Sequence, residues 1–409
     1  MITPAWHIRN ATLADMPLIR QLFEEQGMGT VEVPKGIRVA ITPDNIMLGA
    51  LRCEELSDGA WYVRPVVVFD SVRGTGVGRA LMKDALKLHP DLRLVAEGYC
   101  AGFYDACGMQ RCSWDEIAYE QRHECDVCPG RQTCGAQPFR SVPPKHTLTF
   151  LGTTSGCGVP AFFCHCKACE AARKDPSLRR GCSGVLIQGN STILVDTPPD
   201  VRHQLIREDV SDLDHVFLTH AHYDHLGGFG ELEYLVRLYR ESALPFHASV
   251  YAMGEALREF HYMDDCFACD PMEEWEVREL DGLSIQAVPV EHCPGCFGYL
   301  ITSPSGRRTF YAPDTAALKP EVRELLAGVD NLIMDATFLA EGASHSQNHH
   351  SVRQTVEEGM ELGAGTIYLT HFAPHICRPE ENAEELLEEY VAQFGGRVVI
   401  ARDGMKVEL

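Results

Sequence analysis

One short stretch of this chain, His220–His225, carries four side chains of types that bind metal ions. Neutral imidazole and carboxylate groups suit zinc, manganese or iron. Alternation along the backbone puts His220 and His222 on one side, whereas Asp224 and His225 can turn toward a second ion. A surface loop rich in histidine is the alternative interpretation. Four ligands at this spacing favour a metal site, because such clusters are specific signals.

Three more ligand-type residues lie where short apolar runs give way to loops. They are His292 after Ile285–Val290, Asp314 after Thr309–Tyr311, and His371 after Thr366–Leu369. A site formed by several strand ends needs donors scattered in this way. Asp196, which follows the predicted strand Thr192–Val195, is expected to accept a hydrogen bond from a ligating imidazole.

The elements that must position these donors are short buried strands and sharp turns. Val216–Leu218 predicts a buried strand directly before the cluster, and Leu226–Gly228 predicts a tight turn after it. Residues Phe229–Leu238 carry apolar side chains at helical spacing and predict a helix that covers the sheet. The donors are therefore expected on strand-to-loop corners.

The composition limits the class of protein. The chain has 409 residues, which is enough for two or three domains, and its 45% hydrophobic and 23% charged residues are ordinary for a globular protein. Without an apolar window of membrane-spanning length or an export-signal pattern, the expected location is the cytoplasm, with no membrane partner. A net charge of -22 disfavours nucleic acid as a partner.

Residues 1–122 alternate helical and strand patterns and predict a separate α/β domain. Within it, a glycine-rich turn leads directly into the helical pattern Arg79–Leu88. The turn contains Arg73, Gly74, Gly76 and Gly78. Glycines at a strand-to-helix turn let backbone N–H groups approach a pyrophosphate, and the helix dipole assists.

This turn, followed by Tyr104 in the segment Ala101–Met109, resembles the GCN5-related N-acetyltransferase family. The resemblance implies that Gly76 and Gly78 cradle the pyrophosphate of acetyl-coenzyme A, with Arg73 and Gly74 in the same cofactor-binding turn. It also implies that Tyr104 protonates the departing thiolate. The acetyl acceptor is not defined by these residues, and a fold kept for docking without turnover is the alternative.

Seventeen cysteines without an export signal indicate metal ligands and reduced thiols in place of disulfides. Residues 123–145 predict a linker or a small metal knuckle. In the knuckle, His123, Cys125, Cys128 and Cys134 would bind zinc or an iron–sulfur cluster, with free thiols as the alternative. The proline-containing end of this segment predicts the domain boundary.

Further cysteines form one cluster and two pairs after this segment. Cys164, Cys166 and Cys169 fall within six residues and predict a structural zinc site that needs one more donor. For the pairs Cys266/Cys269 and Cys293/Cys296, an additional metal, a redox-sensitive pair and plain thiols all remain open.

The ordered donors of residues 220–371 resemble the metallo-β-lactamase superfamily, and the resemblance covers residues 146–409. It implies a four-layered αββα sandwich with a pair of divalent ions, manganese or zinc, at one sheet edge. By position, His220, His222 and His292 hold one ion, whereas Asp224, His225 and His371 hold the second. Asp314 bridges both, and an aspartate in place of a cysteine there points to hydrolases of phosphodiesters.

A closer resemblance is to the PhnP family of phosphodiesterases. It is carried by Gly156–Ala161, Cys164–Cys169, Cys182–Val185 and Asn348-His349. It implies opening of 5-phospho-α-D-ribose 1,2-cyclic phosphate to ribose 1,5-bisphosphate in phosphonate catabolism, and it implies that His375 completes the structural zinc site. Asp224 is expected to be essential for turnover. His349 is expected to contact the phosphate or protonate the leaving sugar oxygen, with His350 as its rival.

Two other functions stay open from the sequence. One is a ribonuclease of the same superfamily that trims RNA ends, and the other is a redox- or metal-sensing module with an inactive centre. The first is disfavoured by the acidic composition. The expected partners are a small phosphorylated sugar and acetyl-coenzyme A, and whether the chain forms a homodimer is undecided.

Overall fold

The computed structural model describes residues 6–89, 91–142, 145–240, 242–339, 348–373 and 381–409. The chain divides into two compact units, Met1–Pro144 and Lys145–Leu409. Both units mix helices with β-sheets, which agrees with the predicted two-domain α/β and α+β organisation at this level.

Among its described residues, the N-terminal unit contains seven strands and five α-helices. The strands are β1 (His7–Asn10), β2 (Ile37–Ile41), β3 (Met47–Glu55), β4 (Trp61–Val68), β5 (Leu92–Ala96), β6 (Gln110–Arg111) and β7 (Gln137–Arg140). The helices are α1 (Met16–Glu25), α2 (Val77–Leu88), α3 (Ala101–Ala106), α4 (Tyr119–Val127) and α5 (Arg131–Cys134). The strands form one sheet in the order β1-β2-β3-β4-β5-β7-β6.

Strands β4 and β5 are parallel and pair only at their beginnings. Trp61 pairs with Leu92 and Tyr62 pairs with Arg93, and the pairing goes no further along these two described strands. The glycine-rich turn follows β4, and Gly76, with a φ of 95°, directly precedes α2. Only glycine adopts such a backbone conformation at low cost, so the turn and the helix start are specified by the sequence.

The predicted linker at residues 123–145 instead belongs to this N-terminal unit. Helices α4 and α5 lie within or across it, and β7 pairs with β5 on one side and β6 on the other. The prolines and polar residues that indicated a boundary are compatible with a strand, because backbone pairing to β5 is a long-range interaction that a local pattern does not reveal.

The C-terminal unit contains fourteen strands among its described residues. They are β8 (Thr147–Gly152), β9 (Gly184–Gln188), β10 (Thr192–Val195), β11 (His215–Phe217), β12 (Leu244–Ser249), β13 (Phe267–Met272), β14 (Val277–Leu280), β15 (Leu283–Pro289), β16 (Phe297–Thr302), β17 (Arg308–Ala312), β18 (Asn331–Asp335), β19 (Thr366–Thr370), β20 (Val398–Ile400) and β21 (Lys406–Glu408). They form two sheets, β13-β12-β11-β10-β9-β8-β21 and β14-β15-β16-β17-β18-β19-β20.

The structure describes eight α-helices in this unit, and all but the first of them bury side chains in the outer cores of the two sheets. They are α6 (Lys167–Lys174), α7 (Val201–Arg207), α8 (Tyr223–Leu226), α9 (Leu232–Tyr234), α10 (Val250–Glu259), α11 (Pro320–Leu326), α12 (Val352–Glu361) and α13 (Ala383–Ala392). The predicted helix at Phe229–Leu238 is divided into a 3₁₀ turn, α9 and a π-helical segment, Leu235–Arg240. Phe229 and Val236 nevertheless bury their side chains in the core beneath it.

Three apolar cores separate the layers of the C-terminal unit. The central core joins side chains of both sheets, such as Phe150 and Phe217 of one with Tyr299 and Tyr311 of the other. One outer core joins the first sheet to α7 and α10, and another joins the second sheet to α11, α12 and α13. The layer order is therefore helices, sheet, sheet, helices, as the αββα prediction requires.

Candidate metal centre

The predicted donors of the C-terminal unit lie at one edge of the two sheets. Strand β10 is parallel to β11, and β17, β18 and β19 are parallel to one another. Parallel strands present their carboxyl ends at the same edge. The loops that leave these ends carry Asp196, His220–His225, Asp314 and His371, so residues far apart in the chain converge.

Asp196 holds the segment His220–His225 in place through hydrogen bonds. Asp196 is fully buried and has a backbone φ of 67°. Its carboxylate accepts hydrogen bonds from the Thr219 N–H at 2.8 Å and from Nδ1 of His225 at 2.9 Å. The carbonyl of His222 accepts the N–H of Leu226 at 2.9 Å, which starts α8. The Asp196 contact leaves Nε2 of His225 as the atom available to bind an ion.

The glycine after this corner is required by packing. A Cβ built on Gly228 would lie 2.1 Å from the carbonyl oxygen of Pro198, so no other residue fits without a backbone shift. The N–H of Gly228 donates to the carbonyl of Thr197 at 2.8 Å. The sharp turn predicted at Leu226–Gly228 is therefore held against the loop after β10.

The first donor group contains His220, His222 and His292. Nδ1 of His222 lies 3.1 Å from Nε2 of His292, whose Nδ1 donates to the carbonyl of Asn348 at 2.8 Å. The ligand atoms of the three histidines and the sulfur of Cys293 all lie within 4.8 Å of one another. This group is the set that the sequence assigned to one ion, with a thiol added.

The second donor group contains Asp224, His225, Asp314 and His371. Nε2 of His371 lies 3.3 Å from Oδ2 of Asp224 and 3.4 Å from Nε2 of His225. Oδ2 of Asp314 lies 3.0 Å from Nε2 of His225 and 3.2 Å from Nε2 of His220. One oxygen of Asp314, Oδ2, therefore lies close to both donor groups, where a bridging ligand would be expected.

The buried donors fit divalent ions. Nε2 of His220 and Oδ1 of Asp314 are both buried without a well-formed hydrogen bond within the described part of the chain. Burial and the neighbouring His225 lower the pKa of His220 to about 3, which keeps this imidazole neutral and able to donate its electron pair. Imidazole and carboxylate donors at this density suit zinc or a similar divalent ion.

The charge of the centre also favours cations. Although burial alone would lower the pKa of His371, the negative charges of Asp314 and Asp224 outweigh it and raise that pKa to about 9. For Asp314 itself, burial opposes ionisation, but His371 and His225 hold its pKa well below the usual range. The carboxylates therefore stay ionised and attract positive charge.

His349 lies at the rim of the centre, whereas His350 does not. Nδ1 of His349 lies 2.8 Å from Oδ2 of Asp335 and 3.3 Å from Oδ1 of Asp314, and its side chain is 23% exposed. Burial opposes protonation, but these carboxylates raise the pKa of His349 to about 10. His350 is buried and contacts Thr355 at 3.2 Å through Nδ1.

Asp335 is a site residue that the sequence analysis missed. It ends β18, is fully buried, and accepts hydrogen bonds from Thr337 as well as the His349 contact. Its signal was available, because Asn331–Met334 is an apolar run that ends in a carboxylate, as the run before Asp314 does. An acidic residue at the end of a buried strand could have been added to the list on that pattern.

The three cysteines of the predicted structural zinc site converge. The sulfurs of Cys164, Cys166 and Cys169 all lie within 4.8 Å of one another. The N–H of Ala161 donates to the Cys169 sulfur at 3.3 Å, and the N–H of Cys166 donates to the Cys164 sulfur at 3.5 Å. The three sulfurs are therefore close enough together to hold one metal ion. The predicted fourth ligand, His375, lies outside the described residues.

The predicted zinc or iron–sulfur knuckle is not assembled. Cys125, Cys128 and Cys134 line one cavity, but they are not among the groups of described residues whose donor atoms all lie within 4.8 Å. His123 stacks on Tyr119 with ring centroids 5.5 Å apart. Cys125 lies on α4, Cys134 lies on α5, and Cys128 lies in the turn between these helices. The described donor groups likewise include neither Cys266 nor Cys269.

The five residues predicted to bind a cofactor in the N-terminal unit line a single cavity of about 570 Å³. They are Arg73, Gly74, Gly76, Gly78 and Tyr104. The cavity lies beside the last residues of β4, beyond the point where β4 and β5 pair. Burial raises the pKa of Tyr104 far above its ordinary value, so the phenol keeps its proton.

Comparison with known proteins supports the identification of the C-terminal unit. Residues 191–372 match the family described as "Beta-lactamase superfamily domain". A crystal structure described as a new diphosphatase from the PhnP family is 28% identical, with a TM-score of 0.56, and the match covers 65% of this chain and 97% of that one. The C-terminal unit therefore contains a metallo-β-lactamase superfamily domain.

Two curated relatives with other names also match this chain. Ribonuclease Z of Mycobacterium marinum is 27% identical over 58% of this chain and 94% of the relative. The octanoyltransferase of Porphyromonas gingivalis is 22% identical over 63% of this chain, and the match spans about half, 52%, of that relative's length. Within the described residues, none of the helices combines the length and apolar character that crossing a bilayer requires.

Proposed function

From the premise of a metallo-β-lactamase superfamily domain at residues 191–372, we propose that the C-terminal unit is a phosphodiesterase that uses two divalent ions. Its proposed substrate is 5-phospho-α-D-ribose 1,2-cyclic phosphate, which it opens to ribose 1,5-bisphosphate. The observation that carries the proposal is Asp314, whose Oδ2 lies 3.2 Å from His220 and 3.0 Å from His225. One carboxylate oxygen lies close to a histidine of each donor group. This is the arrangement expected when one side chain bridges two metal ions.

Each of the two donor groups would hold one ion. His220, His222 and His292 would hold one, and Asp224, His225 and His371 would hold the other, with Asp314 between them. When bound, such ions lower the pKa of a shared water toward neutrality and offset negative charge on the phosphate oxygens. The chain's own side chains then have to orient the phosphate and deliver a proton.

His349 is the proposed proton donor. Asp335 accepts a hydrogen bond from Nδ1 of His349 at 2.8 Å, which fixes the ring and leaves Nε2 as the atom that faces a substrate. In the reaction, the water oxygen forms a new bond to phosphorus, and the bond between phosphorus and the sugar 2-oxygen breaks. That oxygen takes the proton from Nε2 of His349, and the proton that the attacking water releases returns to Nε2 of His349.

The leaving-group dependence of His349→Gln tests this role. Hydrolysis of the cyclic ribosyl phosphate should fall by about 10²–10⁴-fold, because an alkoxide is a poor leaving group without a proton. Hydrolysis of bis(p-nitrophenyl) phosphate should fall far less, because p-nitrophenolate departs unprotonated. His350→Gln serves as the matched control and should leave both rates near wild type, since His350 contacts Thr355 away from the donors. Equal losses on both substrates would contradict the role.

Substrate choice is tested by comparing three substrates with the metal-loaded full chain. The cyclic ribosyl phosphate should be cleaved fastest, and Asp224→Ala should abolish cleavage. Faster cleavage of a linear diphosphate ester would instead favour the activity named for the PhnP-family relative. Faster cleavage of precursor tRNA would favour the ribonuclease alternative, which the 27% identity to ribonuclease Z supports and the net charge of -22 opposes.

For the N-terminal unit, we propose binding of acetyl-coenzyme A and transfer of its acetyl group to an amine such as an aminoalkylphosphonate. The support is the cavity that Arg73, Gly76, Gly78 and Tyr104 share. Addition of acetyl-coenzyme A to the full chain should raise its unfolding temperature, and Arg73→Ala should reduce that increase. Tyr104→Phe should slow turnover without weakening binding. The proposal should be dropped if the full chain neither binds acetyl-coenzyme A nor acetylates aminoalkylphosphonates.

A further inference from the structure

The turn that carries His292 also carries a thiol that the proposed chemistry leaves unused. Cys293 places its sulfur within 4.8 Å of the ligand atoms of His220, His222 and His292, and these four donors form one group. The next residues are Pro294, Gly295 and Cys296. A soft sulfur donor beside three imidazoles is a combination that zinc accepts.

This turn is held in place by several backbone contacts. The N–H of Cys296 donates to the carbonyl of Cys293 at 3.2 Å, and the hydroxyl of Ser249 donates to the carbonyl of Gly295 at 2.7 Å. Gly295 has a φ of 69°, and a Cβ built on it would lie 2.6 Å from the Ser249 hydroxyl. The conformation of the turn is therefore specified by Gly295, and the position of the thiol follows from it.

Cys296 supports the thiol from the core side. Its own side chain is buried at 4% exposure, and it forms a side-chain hydrogen bond with the sulfur of Cys293. The pair thus consists of one sulfur at the donor group and one that orients it.

The distances are compatible with a common ion. Zinc–nitrogen bonds of about 2.0–2.1 Å and zinc–sulfur bonds of about 2.3 Å place the donors of a tetrahedral site about 3.3–3.6 Å apart. His222 and His292 are already 3.1 Å apart. No two ligand atoms of the group are more than 4.8 Å apart. Binding of an ion would therefore have to shorten any of these distances by at most about 1.5 Å, through movement of the sulfur or of His220.

We propose that Cys293 is a further protein ligand of the ion that His220, His222 and His292 would hold beside the shared Asp314, an inference that rests on the proposed two-ion centre. Three imidazoles, a thiolate and the shared Asp314 carboxylate would give this ion five protein donors, whereas the other ion would have no sulfur donor. The two ions are then inequivalent.

Cobalt(II) substitution of the full chain tests this ligand without relying on activity. Cobalt–thiolate bonds absorb in the near ultraviolet, and a chain that is fully loaded would have four of them, three at Cys164, Cys166 and Cys169 and one at Cys293. Cys293→Ser should therefore lower the charge-transfer absorption by about one quarter and change the visible ligand-field bands. Cys296→Ser should retain the absorption with a shifted maximum, because the ligand remains and only its hydrogen bond is lost.

Cys269→Ser is the matched control, because Cys269 is an exposed thiol of another Cys-x-x-Cys pair, Cys266/Cys269, and lies outside the described donor groups. It should leave the spectrum unchanged. The inference is overturned if Cys293→Ser binds the same amount of cobalt and its spectrum superimposes on that of the wild type. If the wild type binds cobalt only at the Cys164–Cys169 cluster, both the two-ion centre and this inference fail, and the metal content distinguishes the two results.

Discussion

Replacement of Asp196 by asparagine should weaken metal binding with little effect on the fold. Oδ1 accepts the N–H of Thr219 at 2.8 Å, so the asparagine carbonyl takes that place and its amide nitrogen replaces Oδ2. The amide then donates to Nδ1 of His225 where the carboxylate had accepted, at 2.9 Å. The imidazole proton moves to Nε2, the atom that must bind the ion. Asparagine also tolerates the φ of 67° at this position.

The expected loss follows from this change of tautomer. Removing the carboxylate partner of a ligating histidine costs about 10–100-fold in metal affinity, which corresponds to about 1.4–2.7 kcal/mol. The assay is competition between the apoprotein and a chromophoric chelator for zinc, with the unfolding temperature of each apoprotein as a check on the fold. The weakened site should be the one that contains His225, so one ion should be lost before the other.

Asp270→Asn is the matched control for this experiment. Asp270 accepts a hydrogen bond from Nδ1 of His247 at 3.0 Å, so the substitution removes the same charge from another aspartate–histidine pair, one outside the described donor groups. Its zinc affinity should match that of the wild type. If Asp196→Asn also binds both ions with unchanged affinity, Asp196 does not set the tautomer of His225 and the reasoning is refuted.

Three further predictions concern stability and the structural zinc site. Burial and the neighbouring His215 lower the pKa of His247 from 6.5 to about 4, so the folded state binds fewer protons than the unfolded state. The free energy of unfolding should therefore fall by about 3 kcal/mol as the pH drops from 6.5 to 4. Urea unfolding of His247→Gln should show a smaller decrease in the free energy of unfolding over this pH range. Phe229→Ala should cost about 3–5 kcal/mol in urea unfolding, since the fully buried ring stacks on Phe267 at 4.4 Å; an unchanged midpoint would contradict the core assignment. Cys169→Ser should reduce the zinc content by one ion per chain, and equal zinc content would rule out that ligand.

Local patterns were sufficient for many elements of the C-terminal unit. Short apolar runs followed by a histidine or an aspartate predicted the strands that precede the metal-binding residues. This was possible because a buried strand and the loop after it are both encoded by a few consecutive residues. The segment at residues 123–145 shows the limit. Its strand β7 exists because it pairs with β5, and that partner lies about forty residues earlier in the chain.

The choice between two adjacent histidines shows the same limit at the site. His349 and His350 have the same side chain, and nothing in their order indicates which one faces the donors. In the folded chain, Asp335 holds His349 at the rim and Thr355 holds His350 in the core. Because these partners come from β18 and α12, the choice depends on how the elements pack.

By itself, the sequence determined which chemical groups are available and at which strand ends they lie, because side-chain type and short-range periodicity are local properties. Only the tertiary structure decided that Asp314 reaches both donor groups, that Asp335 supports His349, and that Cys293 joins three histidines. These are distances between residues on different strands and loops. They are set by strand order and sheet packing, which bring together parts of the chain that local patterns describe separately.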